Sequence, residues 1–399
     1  MRKRLVLVLM LLLTIGQNAF GQKRYDPGAS DTEIRIGGTA PYSGPASGWG
    51  TTGRAQAAYF AKINAEGGIN GRKIKLISLD DGYNPTRTVE QTRRLVEKDQ
   101  VLLIFGSIGS PTNAAVQKYL NRKKVPQLFL GVGDSKFGDP KRYPWTMGFQ
   151  QTAYSEGRLA AKYLQLNHPN AKIGVIYVYD GWGKELLAGL KDALAGNAGV
   201  EIVKEVSYHL DDPTVDSQVV SLYGTRADVL VNLAMPKAAA QVIRKVHDLN
   251  WKPAHFINYV SSSPADVLRA AGFDKSIGLI SVDNMKDPSD KQWENDAALK
   301  EWLAWMKQYY PAGDVTDTAN VYGYNQAQTL VHVLRQCGDD LTRENVMRQA
   351  ASIKNLQLPM VIPGVKINTS ATDYYPIEQL RFQRFDGERW VPFGDVISP

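Results

Sequence analysis

From Glu33 onward, short β-type apolar runs alternate with amphipathic segments of helical length, and this alternation restricts the chain to an α/β architecture. Residues 34–38, 73–80, 101–105 and 127–130 read as strands, with helices over 53–66, 86–98 and 111–122. The apolar face of the first helix includes Ala57, Ala58 and Ile63. Strands separated by helices imply a parallel sheet covered on both faces. After Pro144–Met147 the alternation starts afresh: helix 154–166, strand 173–179, helix 184–195, strands 201–207 and 229–233, helix 237–249. Two such units in series predict two lobes. Residues 293–348 read as mostly helical, and 379–392 as a β-hairpin around Asp386-Gly387.

The ends point to export. Arg2, Lys3 and Arg4 precede an apolar run over residues 5–15 and the small-residue pattern Ala19-Phe20-Gly21, which together predict a secretory signal peptide. The run is shorter than the roughly 20 residues that span a bilayer. Cleavage is expected after Gly21, with Gln22 as the mature start, so residues 1–21 form the leader. A lipoprotein needs a cysteine at that junction, and Cys337 is the only cysteine; no intrachain disulfide can form, and no spacing suggests a metal site. The expected location is therefore the periplasm, as a soluble monomer. Cleavage removes three of the 47 Lys and Arg, leaving 44 against 40 Asp and Glu. So modest an excess, without a basic cluster, argues against nucleic acid as partner. The remaining 378 residues exceed the ~250–300 at which a single core stops growing, in keeping with two domains.

Signatures of catalysis are missing. Gly131-Val132-Gly133-Asp134-Ser135-Lys136 lacks the third glycine of a dinucleotide-binding turn, and no phosphate-binding loop occurs. Gly106-Ser107-Ile108-Gly109-Ser110 is not a nucleophile elbow. The histidines His168, His209, His247, His255 and His332 are scattered. The expectation is a non-enzyme without cofactor.

Ser110-Pro111-Thr112-Asn113 follows a buried strand and opens a helix, with Ser110 expected as the N-cap and Pro111 at the first helical position. A helix start at the carboxyl edge of a parallel sheet can hold an anion. Ser110 capping only its own helix is the competing reading. Four stretches then carry a resemblance: Ser43-Gly44-Pro45, Trp49-Gly50, Ile63-Asn64-Ala65-Glu66-Gly67-Gly68-Ile69-Asn70-Gly71 and Asp80-Asp81-Gly82-Tyr83-Asn84-Pro85. Together they resemble the leucine/isoleucine/valine-type periplasmic binding proteins. The resemblance implies a type I periplasmic-binding fold, two Rossmann-like lobes with parallel sheets, three hinge crossovers and a ligand cleft between the lobes. It also implies delivery to an ABC permease and ATPase in the inner membrane.

On that basis residues 22–148 with 283–363 are expected to form the N-terminal lobe, and 149–282 with 364–399 the C-terminal lobe. Hinges fall near 148–152, 281–284 and 363–368. The resemblance places Trp49 and Trp182 over the ligand, although core packing is the commoner use of a tryptophan. Ser110, with Thr112 beside it, matches the seat of a ligand carboxylate. Gly131, Val132 and Gly133 match the small-residue turn that completes this seat, with Gly133 in place of a threonine. Tyr154, Ala234 and Tyr259 fall at contacts from the second lobe. The acidic residue that would receive a ligand ammonium is missing from residues 256–262, unless Asp134 assumes the role; capping its own turn is the commoner use of such an aspartate. The expected ligand is thus a small organic carboxylate, aromatic ones included. The alternatives are a branched-chain or other neutral amino acid, or a sensor input domain of the same fold.

Overall fold

The computed structural model describes residues 23–398 except 45, 197 and 198. The expected leader, with its Gly21/Gln22 junction, lies outside the described residues.

The first sheet is built around β1 (Glu33–Ala40). Ile34 and Ile36 point into the core and are fully buried. β1 pairs in parallel with β2 (Lys73–Asp80) on one side and β3 (Leu103–Phe105) on the other. β4 (Gln127–Leu130) and β5 (Thr146–Gly148) complete the order β2-β1-β3-β4-β5. The third strand is shorter than the expected 101–105: Val101 and Leu102 are buried but stand outside its ladder. The helix expected over 86–98 runs as an α-helix only over Pro85–Arg93 and continues with wider winding through Arg94–Lys98.

The second sheet runs through β6 (Lys172–Val178), β7 (Glu201–Tyr208), β8 (Val229–Leu233), β9 (Ala254–Ile257) and β10 (Ile280–Asp283). These five are parallel, in the order β10-β9-β8-β6-β7. The C-terminal hairpin, β11 (Leu380–Phe385) and β12 (Trp390–Ile397), adds antiparallel to β10, so this sheet is mixed at its edge.

The chain crosses between the sheets three times, after β5, after β10 and before β11. The crossovers are bound side by side. Asn284 Nδ2 donates to Gln151 Oε1 at 3.2 Å, Lys286 N to Met360 O at 3.0 Å, and Ile362 N to Asn284 O at 2.9 Å. Between the second and third crossovers the helices Ala297–Tyr309 and Thr318–Cys337 return to the first sheet and pack on α1 (Gly50–Ala65). Tyr59 meets Tyr324 edge-on at 4.9 Å. Gln326 bridges Gln56 and the Phe129 carbonyl, each at 2.8 Å. A buried, satisfied amide of this kind fixes where the returning helix lies. Among the described residues no helix is long and apolar enough to cross a membrane.

Candidate functional site

The wall from the first lobe grows out of the β3 carboxyl end. The helix there is Ser110–Lys123, and its N-cap position belongs to Gly109, with φ 101° and ψ 138°. Ser110 is therefore the first helical residue, not the expected cap. Only glycine tolerates the Gly109 backbone readily, and a Cβ there would stand 2.5 Å from the Tyr83 ring. The bare turn lets Tyr83 lie across the helix start.

The Ser110 hydroxyl donates to the Asp134 carboxylate, which is 2 % exposed and has the Lys136 ammonium 3.3 Å away. Asp134 makes no capping bond to its own turn. The Ser110 hydroxyl is thus already taken by a carboxylate that the chain supplies. Thr112 does not reach the cleft; it is buried, and its hydroxyl donates back to the carbonyls of Ile108 (2.6 Å) and Gly109 (2.8 Å).

The wall from the second lobe begins at Asp180, whose carboxylate accepts from Gly183 N at 2.8 Å and so caps the helix Gly181–Leu194 that carries Trp182. Burial, first, and the nearby Asp134 push the Asp180 carboxyl upward. Trp182 is buried, and its indole nitrogen lies 3.0 Å from where a Gly133 Cβ would stand. The absent side chain at 133 is what admits the indole. Close by, Glu185 accepts from both Ser135 N (2.7 Å) and Ser135 Oγ (3.0 Å), a two-point bond across the cleft.

Farther along, Tyr259 N donates to Glu156 Oε1 at 2.5 Å. Glu156 and Asp283 are both raised to about 7, burial being the main cause for each. Asp283 accepts from Asn284 N (2.6 Å) and Met285 N (2.8 Å). Two other expected contacts fall elsewhere. Tyr154 donates its hydroxyl to Asp192 at 2.9 Å and is not part of the cleft wall. Ala234 is fully buried behind the wall, its carbonyl accepting from Asn258 Nδ2 and Ser261 Oγ, each at 2.7 Å. The wall position passes to Met235.

Between the walls lie two adjoining compartments. The smaller, about 500 Å³, is lined by Trp49, Tyr83, Ser110, Gly131, Val132, Gly133, Asp180 and Trp182. The larger, about 1050 Å³ with its solvent-open part, is bordered by Tyr259, Lys237, Asp266, Val267, Asp283 and Met285. Trp49, Gln150, Met235, Val260 and Tyr322 line both, so the two are parts of one cleft. Of the expected site residues, Trp49, Ser110, Gly131, Val132, Gly133, Trp182 and Tyr259 are brought together here, with Asp134 directly behind Ser110. Sequence reasoning missed Tyr83, Gln150, Met235, Asp283 and Tyr322. Tyr83 had a signal, the Asp-Gly turn at a strand end; Tyr322 sits mid-helix and had none.

The chain matches the model of a periplasmic binding protein family over residues 33–389. A Leu/Ile/Val-binding protein homolog 7 from Brucella abortus is 25 % identical over 237 residues, 57 % of this chain and 59 % of that protein. An amino acid binding protein from Pseudomonas aeruginosa is 24 % identical over 222 residues, 54 % of this chain and 58 % of that one. The chain thus matches about three-fifths of the length of these relatives. Among solved structures, a fatty acid ABC transporter substrate-binding protein from Thermomonospora curvata has a TM-score of 0.81 at 22 % identity, covering 94 % of this chain and 95 % of that one. A branched chain amino acid ABC transporter from Thermus thermophilus with bound valine has a TM-score of 0.83 at 16 % identity, covering 93 % and 98 %.

Proposed function

Since the chain belongs to the periplasmic binding protein family, we propose that it is the periplasmic receptor of an ABC importer, closing two lobes on a small organic molecule and presenting it to a permease and ATPase. It does no chemistry on that molecule. The observation that carries this reading is the cleft itself: a two-compartment space between lobes joined by three side-by-side crossovers, with Trp49 and Tyr322 bordering both compartments. Hinges are usually a few element-terminal residues, and the crossovers after β5 and β10 have that character.

The larger compartment is bordered by Met235, Val260, Val267 and Met285 beside Tyr259 and Tyr322, which suits a ligand with a largely apolar body. The names of the relatives suggest an amino acid or a fatty acid, either of which carries a carboxylate. At Ser110 such a group would have to displace Asp134. A second reading, a carboxylate ligand, keeps one support: Lys237 borders the larger compartment.

Native mass spectrometry of the protein isolated from periplasm without denaturation tests the receptor reading. One small molecule per chain, lost on unfolding, is the expected result. A chain that carries none, and that no fraction of a cell extract stabilises, contradicts it.

A further inference from the structure

We infer that the cleft selects a ligand with an apolar body and a basic nitrogen but no carboxylate, because Asp134 already occupies the Ser110 hydroxyl at the helix start while Asp283, which has no ion-pair partner among the described residues, lines the larger compartment. This rests on the receptor reading above and names the ligand class for it.

The charges of the cleft and of the chain have opposite sign. From residue 22 on the chain carries 44 basic against 40 acidic residues, yet the cleft is lined by Asp180, Asp266 and Asp283 against the single base Lys237, which is exposed. A helix start attracts an anion through its free N–H groups and dipole. Here the Ser110 hydroxyl at that start is already bonded to Asp134, and the Lys136 ammonium stands 3.3 Å from the same carboxylate. A ligand carboxylate brought to Ser110 would face a second carboxylate at short range, which neither charge tolerates. Asp283 is the opposite case. Its hydrogen-bond partners are neutral: it accepts from the backbone of Asn284 and Met285, the Gln383 side chain lies beside it, and among the described residues no cation pairs with it. A ligand ammonium there would make a charge-assisted hydrogen bond, and Tyr259 and Tyr322, which line the same compartment, are aromatic groups of the kind that attract a cation.

Calorimetry on ligand-stripped protein, with matched pairs, tests this: phenethylamine against 3-phenylpropanoate, hexylamine against hexanoate, and phenylalanine, which has both ends. Each amine is expected to bind at least about tenfold more tightly than its acid. Asp283→Asn is expected to lower amine affinity by about tenfold or more and leave the acids unchanged. Asp134→Asn is expected to raise the affinity of the acids. The amine-to-acid ratio of the unaltered protein stands whether or not the Asp134 variant folds. An acid, or phenylalanine, binding as tightly as the matching amine overturns the inference and leaves the receptor reading intact. If no probe binds, the molecule carried by the protein from the periplasm decides: a basic nitrogen without a carboxylate supports the inference, and any other composition overturns it. No bound molecule and no binding probe together remove the receptor reading and the inference with it.

Discussion

On the first-lobe wall, Ser110 is bonded to Asp134, Thr112 to the Ile108 and Gly109 carbonyls, and Asn113 to the Ser107 and Gly109 carbonyls. In the second lobe, Asp283 on the wall and the buried Glu156, bonded to Tyr259 N, are carboxyls raised to about 7; each accepts from backbone N–H groups, and among the described residues neither has a cation partner. One wall is chemically complete without a ligand, and the other is not. On the proposed receptor reading, the first serves as a platform whose shape is set by folding, and discrimination among ligands rests with the second.

The most severe way to break this contrast is Gly109→Ala. It forces a side chain into a backbone conformation suited to glycine and against Tyr83, and should cost about 4 kcal/mol in urea unfolding. A loss near zero would mean that the platform is not rigid.

Glu156 sharpens the contrast from the other side. Its folded pKa lies above the ordinary carboxyl value, so between about pH 4.5 and 7 the folded protein holds a proton that the unfolded chain releases. Stability should fall as pH rises through that window. Glu156→Gln keeps an acceptor for Tyr259 N but cannot ionise. It should leave stability unchanged at pH 4 and raise it by about 3 kcal/mol at pH 8. A pH profile parallel to that of the unaltered protein would show that Glu156 carries no such burden.

Much of the first wall was legible in the sequence because its parts are contiguous. A buried strand, a glycine turn and Ser-Pro at a helix start fall within residues 103–111, and turn chemistry alone places them at a sheet edge. Its electrostatic state was not legible, since it depends on Asp134 swinging onto Ser110 from 24 residues away. The larger compartment draws on β10, the crossover after it and the helix that returns to the first lobe, so Asp283, Met285 and Tyr322 meet only through the crossovers. Position by analogy misled at Tyr154 and Ala234. Tyr154 found a nearer partner in Asp192, and Ala234 turned its carbonyl to Asn258 and Ser261. The short helix Asp216–Tyr223 went unread because eight residues carry too little periodicity.

Trp182 tests whether the walls cooperate. It crosses from the second lobe into the space that Gly133 leaves, so Trp182→Ala should weaken binding of the natural ligand about thirtyfold, read by calorimetry. Unchanged affinity would place the indole outside the site. A smaller effect is expected for Glu185→Gln. It weakens the two bonds to Ser135 across the cleft and should reduce affinity about threefold to fivefold, through the closed population alone.

Lobe closure is the claim on which the rest depends, and small-angle X-ray scattering measures it directly. Protein stripped of its bound molecule by unfolding and refolding, then replenished with the molecule recovered from it, should show a smaller radius of gyration than the stripped form. Glu185→Gln should shift the stripped form further toward the open one. An identical radius with and without the saturating molecule, in both proteins, would contradict the account of two lobes closing on a ligand.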